Sequence, residues 1–250
     1  MKTQDVVAVV TGGGSGLGRA AARALAVAGA RPCIVDLDAG AAEAAATETG
    51  GIAVTGDVAL PETARRVMEV AARMGTPRIL VNCAGIAPPR RILSRRGGLS
   101  GEEFARVLQV NLVGTFNFLA AFAACAQGLD PLDNGERGVI VNTSSVAAFE
   151  GQRGQVAYSA SKGGIVALTL PAARELGDIG VRVCTIAPGV FDSPLLRALP
   201  EDTQEGLRAK VPWPKRFGRG DEFARTVLHV VENEMLNGTV IRLDGGLRLS

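Results

Sequence analysis

The stretch VVAVVTGGGSGLGRAAARAL, residues 6–25, decides the fold. Val6–Val10 is apolar at every position, the pattern of a strand covered on both faces. A glycine turn follows, and then an Ala- and Leu-rich segment that predicts a helix over 16–28. Gly12, Gly16 and Gly18 follow the spacing G-x-x-x-G-x-G. Glycines let the backbone turn tightly and approach a pyrophosphate, and a helix N-terminus adds free N–H groups and a positive dipole end. An ordinary tight strand–helix connection would also use glycine. The position, after the first strand and before a helix, favours a dinucleotide site.

Working outward, short β-branched runs alternate with helical patterns. The predicted strands are Val6–Val10, Pro32–Val35, Ile52–Thr55, Ile79–Asn82, Val139–Asn142, Val181–Ile186 and Thr239–Leu243. The predicted helices cover 16–28, 39–49, 61–74, 101–126, 155–176 and 221–234. Such alternation is the signature of βαβ units and a parallel sheet with helices on both faces. A chain of 250 residues fits one such α/β domain, residues 1–250. Two stretches break the rhythm. Residues 86–100 (IAPPRRILSRRGGLS) carry Pro, Gly and four arginines, and 188–220 contain five prolines and a helical piece near 201–210. Long insertions of this kind are often lids or binding loops, and 188–220 is read as a lid.

Composition narrows the function. Hydrophobic residues make up 47% and charged residues 21%, so a substantial core is available. A net charge of +2 argues against broad nucleic-acid binding, which needs a strongly basic face. Cys33, Cys83, Cys125 and Cys184 form no C-x-x-C pair and read as buried reduced thiols. With His229 the lone histidine, a His/Cys zinc site is hard to assemble, and no metal is expected. His229 itself reads as a helix-face residue. No uninterrupted apolar run reaches the roughly 18 residues of a membrane span, and no targeting segment precedes Val6, so the expectation is a cytoplasmic protein without a membrane partner.

The second predicted strand ends at Asp36. A carboxylate there would bond the adenosine ribose hydroxyls and repel a 2′-phosphate, which favours NAD. It could also be a solvated strand end, and Arg19 or Arg31 could hold a phosphate instead. Asp57-Val58 could fix and pack an adenine ring. Asn82-Cys83-Ala84-Gly85, at the end of the fourth strand, would line the adenosine side.

The fifth strand ends Asn142-Thr143-Ser144-Ser145, and Tyr158-Ser159-Ala160-Ser161-Lys162 opens a helix. Residues at i and i+4 share a helix face, so Tyr158 and Lys162 can approach one ligand together. Oxidising an alcohol to a ketone needs a base for the hydroxyl proton while hydride leaves the carbon. A free tyrosine has a pKa of about 10, and lowering it by ~3 units takes about 4 kcal/mol of differential stabilisation. Lys162 and an oxidised nicotinamide ring could share that work. Ser145 could hold the substrate oxygen beside Tyr158, with Ser144 the weaker candidate. Tyr158 is the one tyrosine in the chain. Asn111, inside an apolar helix pattern, needs partners. It either bridges backbone groups or orders a water next to Lys162.

Together TGGGSGLG, Asp36, Asp57-Val58, NCAG at 82–85, Asn111, Ser145, Tyr158/Lys162 and Pro188-Gly189 resemble the short-chain dehydrogenase/reductase family over essentially the whole chain. The resemblance implies a Rossmann-type, doubly wound sheet of seven parallel strands. It implies Asn111, Ser145, Tyr158 and Lys162 as a catalytic tetrad, with Tyr158 and Lys162 also touching cofactor. Pro188-Gly189 would face the nicotinamide, and Ser193 would stand where the family usually has a threonine. NTSSVAAFEGQRGQVAYSASKGGIVALTLPAAREL, TIAPGVFDSPLL and LNGTVIRLDGG are similar to the short-chain L-3-hydroxyacyl-CoA dehydrogenase branch. This implies NAD, an acyl-CoA substrate, fatty-acid or branched-chain oxidation, and a homotetramer. It also places Ser15, Leu17, Cys83 and Phe191 against cofactor and Gln152 and Gln155 in the substrate pocket. A hydroxysteroid or other small alcohol, or a non-catalytic NAD-binding scaffold, are the other readings. Two departures stand out: the arginine-rich 90–96 and Trp213. Arg90, Arg91, Arg95 and Arg96 could meet coenzyme A phosphates or form a solvated loop.

Overall fold

The computed structural model describes residues 1–95, 97–197 and 200–249, so Arg96 lies outside the described residues. Seven parallel strands form one sheet in the order β3-β2-β1-β4-β5-β6-β7. They are β1 (Val6–Thr11), β2 (Arg31–Asp36), β3 (Ile52–Thr55), β4 (Thr76–Asn82), β5 (Gly138–Thr143), β6 (Val181–Pro188) and β7 (Val240–Leu243). The helices are α1 (Gly16–Val27), α2 (Ala39–Thr49), α3 (Pro61–Met74), α4 (Gly101–Leu108), α5 (Gly114–Gln127), α6 (Val156–Gly177), α7 (Pro194–Arg197), α8 (Glu201–Ala209) and α9 (Gly220–Glu232). The chain winds one way from β1 to β3 and the other way from β4 onward. Thr11 of β1 pairs with Asn82 of β4 at this reversal, where open α/β sheets bind ligands.

Two apolar layers flank the sheet. Leu25 of α1 and Phe223 and Val227 of α9 pack on one face with Val10, Ile34 and Ile186. Phe118 and Phe122 of α5 and Val67 of α3 pack on the other with Val9, Leu80 and Ile140. Each strand in the middle thus buries both faces, as its sequence predicts.

The differences from the sequence reading have local causes. β4 begins at Thr76 rather than Ile79, because Thr76 and Pro77 still pair with Val6 and Val7. Proline discourages a strand assignment, but here it falls at the irregular start of the ladder. The predicted helix 101–126 is interrupted by a π-turn at Gln109–Val113. Ser100 and Glu103 form a capping box that starts α4. A 3₁₀ turn at Val146–Ala148 and the short α7 are additional elements. The helical rod Gly101–Gln127 contains an 18-residue window of mean hydropathy 1.6, long and apolar enough to cross a membrane by length and composition, although polar residues interrupt it. Its α5 portion buries Phe118, Leu119, Phe122 and Ala126 in the domain core. All four cysteines are free thiols; Cys33 and Cys184 are buried, whereas Cys83 and Cys125 are partly exposed.

Arg182 of β6 is buried and satisfies the C-terminal end of α9. Its guanidinium bonds Glu136 at 2.8 Å and the carbonyls of Val230, Val231 and Leu236 at 2.8–2.9 Å. A cation at that position also opposes the negative end of the helix dipole. Removing it leaves the carbonyls without this donor and Glu136 with only the N-terminal ammonium, at 3.3 Å. Arg182→Leu should therefore cost about 3–5 kcal/mol in urea unfolding; a loss under about 1 kcal/mol would mean that water replaces these bonds freely.

Candidate active site

The glycine turn at the end of β1 is closed by contact distances that leave no room for side chains. Gly12 has φ +63°, and a Cβ on Gly18 would lie 2.2 Å from the Gly12 carbonyl oxygen. The backbone of Ala84 stands 2.8 Å from a Cβ on Gly12, so the β1 and β4 ends meet here. Thr11 fixes that meeting, its hydroxyl accepting from Cys83 and Ala84 N–H at 3.2 and 3.3 Å. Sequence reasoning missed Thr11, although a hydroxyl directly before the turn was the available signal. Ser15 stands at the N-cap of α1 without bonding the helix, so its hydroxyl remains open to a ligand. Leu17 packs against the core.

Asp36 reaches this turn from β2. Its carboxylate accepts from Gly14 N–H at 3.0 Å and from Asp38 N–H at 3.2 Å. Asp57 accepts from Ala59 N–H at 2.9 Å and pairs with Arg106 at 3.2 Å, while Val58 is buried against Gly114. Asn82 donates to the Asn142 side chain at 3.0 Å, holding β4 to β5. Cys83 Sγ lies 3.3 Å from Thr143 Oγ1, and burial pushes its thiol up to about 11. Gly85 closes the strand end beside Asn111 and Lys162. The bare glycine cradle, the free helix end and the fixed carboxylate together fit a dinucleotide.

On the other side of β4, the predicted tetrad converges. Ser145, just beyond the end of β5, lies close enough to Tyr158 to favour its ionised form. Lys162, on the next turn of α6, sits with Nζ 5.7 Å from the Tyr158 ring centroid. Lys162 Nζ donates to the Thr143 carbonyl at 2.7 Å, and Ser144 Oγ donates to the Lys162 carbonyl at 2.8 Å. Ser144 is thus a brace for α6 rather than a second substrate hydroxyl. Asn111 sits in the π-turn, a device that often marks functional positions. Its carbonyl accepts from Thr115 Oγ1 at 2.7 Å. Its amide accepts from Ile86 N–H at 2.8 Å and donates to the Ile86 carbonyl at 2.9 Å and to Ser161 Oγ at 3.0 Å. Ser161 Oγ in turn donates to the Tyr158 carbonyl at 2.7 Å. Asn111 thereby bridges backbone groups and links to the tyrosine turn through Ser161, a residue the sequence reading passed over.

Burial opposes the charged forms of both Lys162 and Tyr158. Burial lowers the Lys162 ammonium from its ordinary 10.5 to about 8. Burial raises the Tyr158 phenol, with nearby Ser145 opposing. Lysine proximity alone therefore does not turn Tyr158 into a phenolate, because the low-dielectric site penalises both charged forms.

Gln152 and Gln155 lie in the turn before α6, where Gln155 Oε1 accepts from Gln152 N–H at 3.0 Å. Pro188 ends β6, and Gly189 N–H donates to Leu243 at 2.9 Å. The Phe191 ring is buried against Gly218. Ser193 accepts from Leu196 N–H at 3.3 Å, starting α7. His229 lies exposed on α9, as read.

Residues 6–204 match the family model described as short chain dehydrogenase. The chain belongs to that family. It is a dehydrogenase-class oxidoreductase, and the family implies a nicotinamide cofactor. The chain is 47% identical over 251 aligned positions to human 3-hydroxyacyl-CoA dehydrogenase type-2, covering 98% of this chain and 96% of the relative. It is 34% identical to mouse (3R)-3-hydroxyacyl-CoA dehydrogenase, covering 99% and 98%. A crystal structure of 3-hydroxyacyl-CoA dehydrogenase type-2 from Mycobacterium avium superposes with TM-score 0.93 at 36% identity, covering 100% and 99%.

The buried Lys162 has a measurable cost. Below pH 8 it is charged in both folded and unfolded chains, so the folded state bears the full burial penalty; between about 8 and 10.5 that penalty disappears. Relative to Lys162→Met, the wild type should gain stability as pH rises from about 6.5 toward 10. Paired melting curves across this range check it; a wild type that loses ground to the variant as pH rises would contradict the assignment.

Proposed function

We propose that the chain is an NAD-dependent enzyme interconverting a secondary alcohol and a ketone, most specifically a 3-hydroxyacyl-CoA and a 3-ketoacyl-CoA. The observation that carries the chemistry is Tyr158 one helical turn before buried Lys162, whose Nζ lies 5.7 Å from the tyrosine ring centroid and is held by the Thr143 carbonyl near Ser145. The names of the relatives support the substrate class.

In this reading Ser15, Leu17, the glycines of the turn, Asp36, Asp57-Val58, residues 82–85 and the loop from Pro188 to Ser193 hold the cofactor. Once bound, the nicotinamide supplies hydride acceptance and donation. Ser145 holds the substrate oxygen against Tyr158, and Tyr158 takes or returns its proton. Lys162, with a pKa of about 8, exchanges protons near neutral pH and resupplies Tyr158. Asn111 keeps the Tyr158 turn in register through Ser161. Gln152 and Gln155 border the substrate, under a lid spanning 188–220.

The preference for NAD rests on Asp36, which is held where a 2′-phosphate would meet a fixed negative charge. The competing cations are engaged elsewhere: Arg19 pairs with Glu48, and Arg31 bonds the Met74 carbonyl. The reading also takes the chain as a cytoplasmic homotetramer. Exposed Phe116 on α5 and Val156 and Leu170 on α6 supply apolar surface of the kind that subunit contacts bury.

Two assays test this. With acetoacetyl-CoA, Tyr158→Phe should lower kcat by about 10²–10⁴-fold with folding intact, the usual worth of general acid–base catalysis. An unchanged kcat would remove Tyr158 from the mechanism. Asp36→Ala should weaken NADH use about 10–150-fold, corresponding to about 1.5–3 kcal/mol for bonds to a charged group, and should narrow its advantage over NADPH. A wild type that uses NADPH equally well would overturn the cofactor preference.

A further inference from the structure

We propose that Arg91 and Arg153 form a recognition site for the phosphorylated nucleotide end of a coenzyme A thioester; the proposal rests on the acyl-CoA reading above. The arginine-rich segment begins at the catalytic centre, where both backbone groups of Ile86 are bonded to Asn111. It then runs out to the turn that precedes α6. Arg90 N–H donates to the Gly154 carbonyl at 2.9 Å, pinning the two segments together. Arg91 follows one bonded residue and Arg153 precedes the other, so the two arginines flank the same hydrogen bond.

Both segments are shaped independently of any ligand. Leu99 N–H donates to the Arg91 carbonyl at 2.8 Å, closing the loop. The 151–155 turn is held by the Gln152–Gln155 bonds, and Gly154 takes φ +87°. Arg153 is therefore presented from a fixed corner beside the proposed substrate glutamines.

The structure also revises which arginines are available. Arg90 is occupied, its guanidinium 3.1 Å from Glu103. Arg91, Arg95 and Arg153 are exposed, and no hydrogen bond or ion pair among the described residues engages their guanidinium groups. The chain carries a net charge of only +2, so this is a local concentration of cations rather than a generally basic surface.

Reach and chemistry agree. The five residues from Ile86 to Arg91 span at most about 17 Å when extended, comparable to an extended pantetheine arm. A thioester beside Tyr158 can therefore carry its nucleotide to the outer end of this loop. The nucleotide end of coenzyme A bears a pyrophosphate and a 3′-phosphate, and guanidinium forks bind such groups through paired charge-assisted bonds. Exposed Ile92 and Leu93 on the same loop offer apolar surface to the adenine.

The test compares acetoacetyl-CoA, acetoacetyl-pantetheine and acetoacetyl-carrier protein as substrates, using the intact wild type and the double variant Arg91→Ala/Arg153→Ala. Calorimetric titration of adenosine 3′,5′-bisphosphate, with NADH saturating the cofactor site, reads the subsite directly. The wild type should prefer acetoacetyl-CoA to acetoacetyl-pantetheine in kcat/KM, and the variant should lose that preference by about tenfold or more. The bisphosphate should bind the wild type and bind the variant at least about tenfold more weakly. An unchanged preference, or bisphosphate binding equal in both proteins, overturns the proposal. So does a wild-type preference for the carrier protein that the variant loses, which would assign the patch to an acidic protein. If the wild type turns over none of the three, the acyl-CoA reading fails, and the titration still decides whether these arginines hold the bisphosphate.

Discussion

A buried ammonium held against a backbone carbonyl organises this site. Lys162 Nζ reaches the Thr143 carbonyl at 2.7 Å from a position almost without solvent. A lone charge is costly there. That bond fixes the height of α6 relative to the end of β5, and Ser144 reinforces it from the opposite direction through the Lys162 carbonyl. Tyr158, one helical turn earlier, is thereby set beside Ser145, which leaves the same strand end. The proton-transfer pair is thus a consequence of how one strand and one helix are joined.

The remaining parts act on this unit through backbone contacts. The π-turn aims Asn111 at both backbone groups of Ile86 and at Ser161, coupling the β4 loop to the tyrosine turn. Thr11 sews the glycine turn to Cys83 and Ala84, so the cofactor cradle and the catalytic side of the sheet share β4. Little of this depends on surface ion pairs. The groups that matter are buried polar side chains with backbone partners, which cost most when a partner is removed.

The sheet was legible because its middle strands are covered on both faces and therefore read as unbroken apolar runs. The glycine turn was legible because close approach leaves only glycine sterically acceptable at Gly12 and Gly18. Tyr158 and Lys162 were legible because helix spacing is periodic. Other features involve partners distant in sequence and leave little local trace. The π-turn keeps the composition of an ordinary amphipathic helix, and Thr115, which satisfies the freed Asn111 carbonyl, looks like any helix threonine. Pro77 hid the start of β4. Arg90 and Arg91 looked equivalent in charge, yet Arg90 is paired with Glu103 while Arg91 is exposed. The direction of the Tyr158 shift was also hidden, because burial depends on the tertiary fold rather than on the neighbouring lysine alone.

Tyr158 is the one tyrosine in the chain, so tyrosinate absorbance reports this residue alone. Spectrophotometric titration with and without NAD is therefore the most direct measurement of the central claim. In the protein alone, ionisation should fall above the ordinary value of 10, because burial opposes the phenolate. With NAD bound, the midpoint should fall by at least about one unit, as a positive ring beside the phenol favours its charged form. A midpoint that does not move on NAD binding would contradict Tyr158 as the base of a nicotinamide-linked dehydrogenase.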